Sequence, residues 1–458
     1  MTILSVNIKI ANMEQDMIFF PNNILGQLKL KPNQSVPLYF GLTEKIMVKV
    51  KSSKSTQNEL VISSSIKNKI NLPFTTKLIL KKEDGGIRLG PVIGILTTDL
   101  RGSKFGGYTA KTKNHFGDFF KGLLIHGESL PVYYFVFTPD RINWNTRKIQ
   151  GIFYHPQLYG DTWKEFTMPF PDVIYNRVPN RQAERNFQIE RIKSEHERMG
   201  GKLFNYDFFN KWDIYQLLDS EANVKNFFPE TYINPSLNTL QQMADKHPIV
   251  YLKPASGSLG LGIYKVRKLE NGYNLQYRIG TQNKSLTYSQ LSAVYKTVFS
   301  QKNPRNYLIQ QGVNLIKFKE RPVDFRIQLH KNRENQWNLI AIGAKAAGAG
   351  SVTTHIRTGG TLLDSIKFLK QTYGEKAGAV VNQIKNASIQ IAKAVEEKSG
   401  KPLGELGLDI GIDDHQRIWL FEVNSKPGRS IFKHPSIKKA GNLASRYILE
   451  YAIYLANK

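Results

Sequence analysis

Two carboxylates and an amide stand close together near the end of the 458-residue chain: Asp409, Glu422 and Asn424. The stretch LGLDIGI alternates apolar and other residues, DDHQ makes a turn, and RIWLFEV runs back until NSKPG breaks the strand. A hairpin of that length brings Asp409 near Glu422, and Asn424, two residues on, points the same way as Glu422. Oxygen donors without Cys or His suit Mg²⁺, which keeps several waters and shares its sites with phosphate oxygens. Solvated strands with chance acids are the plainer alternative, but polar residues inside a run as apolar as IWLFEV are unusual there.

A second group lies upstream. VYLKPASGSLGLGIYKV reads as strand, lysine, glycine-rich turn and strand. In the turn from Ser256 to Gly262, which includes Ser258, three glycines (Gly257, Gly260 and Gly262) let backbone N–H groups approach phosphate oxygens. Lys253 can offset the charge on those oxygens. No GK[ST] follows the glycines, and a strand stands where a dinucleotide fold starts a helix. A tight structural turn has the same composition.

YLIQQGV is a strand whose edge can bind adenine, with Gln310 and Gln311 as candidate side chains, or it is ordinary edge polarity. RPVDFRIQLH sets Asp324 and Arg326 two apart on one strand face. An inward Arg beside an acid suits a phosphoryl oxygen held bidentately; a surface ion pair is the alternative. THIRTGG brings His355 and Arg357 to a glycine pair, an acceptor loop or a plain turn. His126, His155 and His330 form no ligand pattern.

The elements that position these groups follow from patterning. Residues 1–90 repeat short apolar runs (SVNIKI, PLYFGL, KIMVKVK, ELVISSSI, TKLILKK) with breaks of Pro, Gly, Asn and Ser, which predicts an all-β accessory barrel or sandwich. From residue 91 the texture becomes strand, helix, strand: PVIGIL, a helix near 113–127, PVYYFVF, KIQGIFY and PDVIYN. That predicts a small parallel-sheet α/β domain to about residue 200, ending with a charged helix before Gly200-Gly201. Residues 201–458 hold the chemistry, in two lobes of about 201–330 and 331–458. A helix bears Lys211, another is expected near 287–300, and Ala377, Val380, Val381, Ile384, Ser388, Ile391 and Val395 recur at helical spacing. The fold class is mixed α/β, multidomain.

Lys and Arg number 64 against 37 Asp and Glu, a net charge of +27. Every region is basic by a similar amount, which fits anionic surroundings or a composition bias. No helix-turn-helix, RNP or zinc pattern makes it a nucleic-acid binder. With no Cys in the chain, disulfides and thiol nucleophiles are excluded. No apolar run of membrane-spanning length occurs, and the first residues do not read as a signal peptide, so a cytosolic protein is expected.

The order of a helix lysine, a strand lysine before a glycine hairpin, a QQ hinge, a D-x-R strand and LDIGIDD…WLFEVNSKPG resembles the ATP-grasp superfamily. That likeness covers about 202–458, with 91–200 resembling the α/β domain that precedes such folds. FGGYTAKTKNHFGDFF, PDVIYNRVPNR and THIRTGG are similar to the endospore coat-associated YheC/YheD-like branch in spore-forming bacilli. The resemblance implies that Lys211 and Lys253 contact ATP, that residues 256–262 close over its phosphates, and that Gln310 to Val313 frame adenine. It implies two Mg²⁺ on Asp409, Glu422 and Asn424, and Arg326 facing the transferred phosphoryl group. Gln311 stands where a Glu is usual, and Lys345 where many ligases have an Arg.

The activity this implies is an ATP-dependent carboxylate–amine or –thiol ligase acting through an acyl phosphate, with Arg326, Lys345 and Arg357 as catalytic candidates. The substrate would be a small-molecule or peptide carboxylate, and spore-coat proteins would be partners. The alternative is a structural coat-assembly protein in which ATP binding is vestigial.

Overall fold

The computed structural model describes residues 2–98, 115–256, 261–280, 282–354 and 359–458. Gly257, Ser258, Gly260, His355, Arg357 and all of FGGYTAKTKN lie outside the described residues. The chain forms two compact units. Unit 1 comprises residues 1–207, 331–336 and 444–458; unit 2 comprises 208–330 and 337–443.

Unit 1 opens with a closed barrel. Its strands are β1 (Ile3–Ala11), β2 (Met17–Pro21), β3 (Ser35–Phe40), β4 (Glu44–Ser53), β5 (Glu59–Ser63), β6 (Lys77–Glu83) and β7 (Gly86–Gly90), in the order β1-β5-β2-β4-β3-β7-β6. Alternation explains the closure: Val6, Ile8, Val48, Val50, Leu60 and Ile62 all point into the barrel and are buried. Two short helices, α1 (Asn22–Leu28) and α2 (Ser64–Lys69), interrupt the strands. The domain is therefore not purely β, because Ile24, Leu25, Leu28 and Ile66 also feed the barrel core.

The second sheet of unit 1 contains β8 (Val92–Leu96), β9 (Tyr133–Phe137), β10 (Ile142–Asn143), β11 (Lys148–Tyr154), β12 (Trp163–Pro169), β13 (Val173–Asn176) and β14 (Lys202–Phe204). Its core β9-β8-β13-β14 is parallel, but β11 runs antiparallel to β9, so the sheet is mixed rather than parallel throughout. Strand β11 sits inside the sheet, pairing β9 on one side and β10 and β12 on the other, with residues 151–154 all buried. Helix α3 (His115–Gly127) and, further along the chain, α4 (Pro156–Tyr159), α5 (Arg181–Glu184) and α6 (Phe187–Arg198) complete it.

Unit 2 contains two six-stranded sheets. The first is ordered β15-β20-β16-β17-β18-β19, from β15 (Thr231–Ile233), β16 (Ile249–Pro254), β17 (Tyr264–Leu269), β18 (Gly272–Ile279), β19 (Gln282–Tyr288) and β20 (Tyr307–Gln311). It carries α8 (Leu237–Lys246) and α9 (Leu291–Phe299), whereas α7 (Lys211–Asp219) packs into the core of the second sheet. The expected helix near 287–300 starts later, because QNKSLTY is β19, an edge strand. That strand is almost wholly exposed, so it has no apolar alternation to announce it.

The second sheet of unit 2 runs β24-β23-β22-β25-β26, with β21 (Lys317–Phe318) beside β22 (Arg321–Lys331). Its other strands are β23 (Trp337–Ala346), β24 (Thr361–Leu363), β25 (Glu405–Ile412) and β26 (Ile418–Asn424). Helices α10 (Ser365–Tyr373) and α11 (Ala377–Ser399) accompany it, and α12 (Lys438–Ala456) closes the chain. Val380, Ile384, Ala387, Ile391 and Val395 form the buried stripe of α11. Each large aliphatic side chain so buried contributes about 1.5–3 kcal/mol.

Candidate nucleotide and metal site

The site lies wholly within unit 2. Strand β25 is buried along its length and pairs antiparallel with both β22 and β26. The register sets Arg326 opposite Asp409, and Asp409 opposite Glu422. A bulge follows Asp409: Ile410 pairs with Leu420, leaving Phe421 as the extra residue. In a regular strand only alternate residues share a face. The bulge breaks that parity: Leu420 and Val423 point into the core with Ile410 and Leu408, while the adjacent Phe421 and Glu422 both reach one cleft.

That cleft is narrow, holding a cavity of about 20 Å³. Lys253 and Gln310 line it from β16 and β20, and Lys211, Ile214 and Tyr215 from α7. The Asn210 side chain caps α7 by accepting from Trp212 N, which starts the helix at Lys211. Lys211 Nζ sits 3.2 Å from Glu422 Oε1. Lys253 Nζ donates to Gln310 Oε1 at 2.6 Å and faces the Phe421 ring at 5.6 Å. Gln310 Nε2 in turn donates to Thr231 Oγ1 at 3.0 Å. Phe228 meets Tyr215 edge-on at 5.4 Å, giving the cleft an apolar, aromatic wall.

A second cluster surrounds Asp409. Arg326 donates Nε to Oδ1 at 3.0 Å and Nη2 to Oδ2 at 2.8 Å, a bidentate grip. Lys345 Nζ lies 3.0 Å from Asp409 Oδ1 and 3.0 Å from Asp324 Oδ1. Asn424 Nδ2 reaches Asp409 Oδ2 at 3.4 Å, and the Thr354 hydroxyl bonds Asp324. Gly407 carries no side chain for a packing reason: a Cβ there would come within 2.5 Å of Pro427 and 3.0 Å of Arg326 Nη1.

Electrostatics separates the groups. Burial alone would raise the Asp409 carboxyl, but Arg326 and Lys345 outweigh it and hold the pKa at about 2. Asp324 is raised, by burial first, with Lys345 opposing and Asp409 adding to the rise. Lys345 is raised because the two aspartates outweigh its desolvation. Lys253 is pushed down to about 8, by burial and then by the charge of Lys211. Four cations, Lys211, Lys253, Arg326 and Lys345, thus face three carboxylates, Asp324, Asp409 and Glu422, one of them raised. The surplus of positive charge suits a polyanion.

The other sequence candidates sit apart from these clusters. The Gln311 side chain turns away from the cleft, its Oε1 accepting from Glu230 N at 3.1 Å. Val313 lies in the connection after β20 and does not line the cleft. Ser256 is an exposed turn residue whose hydroxyl is 3.5 Å from Asn210 Nδ2. Gly262 adopts φ +70°, a backbone state that favours glycine. Residues that sequence reasoning did not place here are Tyr215, Phe228, Thr231, Phe421 and Thr354. Only the aromatic following Leu420 gave any signal, and the bulge that exposes it has none.

Among the described residues no three Asp, Glu or His side chains group closely enough to hold a metal ion by themselves. The candidate set is two carboxylates and one amide, and both Asp409 oxygens already accept from cations. These hard oxygens fit Mg²⁺ in kind, provided that phosphate oxygens complete the coordination and draw Arg326 and Lys345 away.

A family model described as YheC/D like ATP-grasp matches residues 200–455. The endospore coat-associated protein YheD of Bacillus subtilis (strain 168) is 31% identical over 458 residues, 98% of this chain and 96% of that protein. YheC of the same organism is 23% identical over 324 residues, 70% of this chain and 88% of its own length. Among solved structures, D-alanyl-alanine synthetase A from Vibrio cholerae aligns with 80% of this chain and 98% of its own, at TM-score 0.46 and 14% identity. The VanG D-Ala:D-Ser ligase from Enterococcus faecalis aligns with 80% of this chain and 99% of its own, at TM-score 0.46 and 12% identity. By the family match and the near full-length likeness to YheD, the chain belongs to the YheC/D-like ATP-grasp family.

Proposed function

We propose that the protein binds Mg²⁺-ATP in the unit 2 cleft and uses it to join a carboxylate to an amine or thiol. The observation that carries this reading is the pairing of each candidate metal carboxylate with a cation: Glu422 with Lys211, and Asp409 with Arg326 and Lys345. Ions so arranged can re-partner, the cations to phosphate and the carboxylates to magnesium. Asp409, Glu422 and Asn424 would hold one or two Mg²⁺, which neutralise charge on the β and γ phosphates.

Lys211 and Lys253 would meet phosphate oxygens, and the wall of Tyr215, Phe228, Leu308 and Phe421 would take the base. Arg326 would then face the γ-phosphoryl group. A substrate carboxylate oxygen attacks the γ-phosphorus, the bond to the β-phosphate oxygen breaks, and ADP leaves. An amine attacks the acyl carbon, loses its proton to solvent, and expels phosphate. Catalysis is positioning and electrostatic stabilisation, with no protein nucleophile. The 256–262 turn and Arg357 remain assigned as phosphate cover and acceptor contact. We further propose a protein made in the cytoplasm and carried into the spore coat, since its relatives bear the name endospore coat-associated. Residues 1–90 would serve docking, and 91–200 would precede the two-lobed catalytic part.

One observation favours a second reading, a non-catalytic assembly protein: Asp409 is fully engaged by two cations of the chain itself. The two readings separate in one experiment. ATP turnover measured as ADP release, with and without a panel of carboxylates, should be lost in Glu422→Ala while circular dichroism is unchanged. Turnover that survives that substitution removes the metal assignment, and ADP release indifferent to every carboxylate leaves the assembly role.

A further inference from the structure

The outer face of the barrel has a composition that its packing does not require. Along β4, Ile46, Val48 and Val50 point inward, and Lys45, Met47, Lys49 and Lys51 point outward. The register sets Lys45 beside Tyr39 and Met47 beside Pro37 on β3, and Lys49 beside Met17 and Lys51 beside Phe19 on β2. One rung crosses four strands as Lys9, Val61, Phe19 and Lys51. At a strand spacing of about 4.8 Å its two lysines stand roughly 14 Å apart, with half-buried apolar side chains between them. Met47 is 55% exposed. The outward positions of β2, β3 and β4 include no Asp or Glu.

Four of the barrel's acids are paired, one of them, Glu59, with the rung's own Lys9. Residues 1–90 contain thirteen Lys and Arg against six Asp and Glu. Glu59 pairs with Lys9, Asp16 with Lys69, Glu83 with Arg88, and Glu44 with Lys148. Among the described residues no carboxylate pairs with Lys45, Lys49 or Lys51. Lys51 donates to Asn33 at 2.7 Å, and Lys45 lies 5.4 Å over the Tyr39 ring.

We infer that this face docks a protein segment that presents Asp and Glu around a few apolar side chains. Apolar side chains within a charged rim are the usual anatomy of a protein–protein contact. Uncompensated lysines supply long-range attraction and choice of partner. Two other anionic partners fit less well. A nucleic acid strand would need a free aromatic platform, and Tyr39 is covered by Lys45 and Arg88. A bilayer needs apolar groups that reach below its headgroups, whereas Met17, Phe19 and Val61 lie half-buried, flush with the sheet.

The test uses the full chain and a labelled peptide of alternating Glu and Leu, followed by fluorescence anisotropy. Binding is expected at low salt and should weaken at least about tenfold at high salt. The triple variant Lys45→Glu, Lys49→Glu, Lys51→Glu should lose at least about tenfold in affinity, and Met47→Asp about fivefold, with melting and ATP turnover unchanged. The triple Lys→Ala variant of the same positions should fall between the wild type and the reversed charge. Absence of binding at low salt, or equal binding by the charge-reversed variant, overturns the inference. So does tighter binding of oligothymidylate, or of phosphatidylglycerol–phosphatidylcholine vesicles, than of the peptide.

Discussion

Two lysines, one in each unit, behave oppositely. Lys193 in unit 1 is fully buried, and carboxylates of Glu184, Glu190 and Asp207 lie 2.7, 3.0 and 2.7 Å from its Nζ. The Tyr206 ring adds a face at 4.6 Å, and the three acids outweigh burial to raise the lysine's pKa. Its charge is answered from within the fold. Lys253 in unit 2 has an amide oxygen and an aromatic ring beside it, and burial, with the charge of Lys211 added, pushes it down to about 8. Its charge is left for something outside the chain to answer. A lysine whose counter-ions are built in holds a fold together; one whose counter-ion is missing waits for a ligand.

Substituting each lysine tests that contrast most directly. Lys193→Met leaves Glu184 buried without its cation and should cost about 3–5 kcal/mol in urea unfolding. ATP affinity of the folded fraction should stay the same. Lys253→Met should do the reverse: unfolding is unchanged or slightly improved, while calorimetric ATP affinity falls about a hundredfold. If Lys253→Met destabilises the fold as strongly as Lys193→Met, the two lysines are both structural and the contrast is void.

pH sharpens the same point with a smaller effect. The pKa of Lys253 is about 8, below the lysine value of 10.5, so the free protein loses this proton before the unfolded chain does. This group's contribution to stability therefore rises as pH climbs through that window. Phosphate contact needs the protonated form, so binding should move the other way. ATP affinity should be full below pH about 8 and weaken about tenfold for each unit above it. A dissociation constant flat from neutral to about pH 9 would count against Lys253 as a phosphate contact.

The smallest effect is expected at Gln311. Its amide reaches Glu230 N rather than the cleft. Gln311→Ala should change ATP affinity less than about threefold and cost about 1 kcal/mol of stability from one lost hydrogen bond. A larger drop in affinity would mean that the side chain turns into the cleft when nucleotide binds.

Short-range chemistry was readable in the chain. The alternation of LGLDIGI and RIWLFEV, joined by a turn, brings Asp409 near Glu422; the turn's register alone would set Asp409 opposite Phe421, and the bulge moves Glu422 there. The D-x-R spacing likewise put Asp324 and Arg326 on one face of β22, and inward-outward parity marked out the barrel strands. The family resemblance rested on the same local motifs, now matched by a family model over residues 200–455. What local pattern could not carry was β19, whose polar residues have no apolar face to alternate. The direction of β11 was also hidden, since it is chosen by which edge of the sheet lies open.

Sequence by itself determined the kinds of groups available: hard oxygens, lysines, an arginine and no thiol, placed at strand parity that makes some of them neighbours. Only the tertiary structure decided which charges meet. Strand β25 runs between β22 and β26, so Arg326 closes on Asp409 from one side while Glu422 flanks it from the other. Lys345, on β23, bridges Asp324 and Asp409 across strands far apart in sequence. The bulge at Phe421 turned two consecutive residues, Phe421 and Glu422, toward one cleft. Coulomb attraction and desolvation depend on distances through space, and a linear pattern fixes those only within a hairpin or a turn of helix.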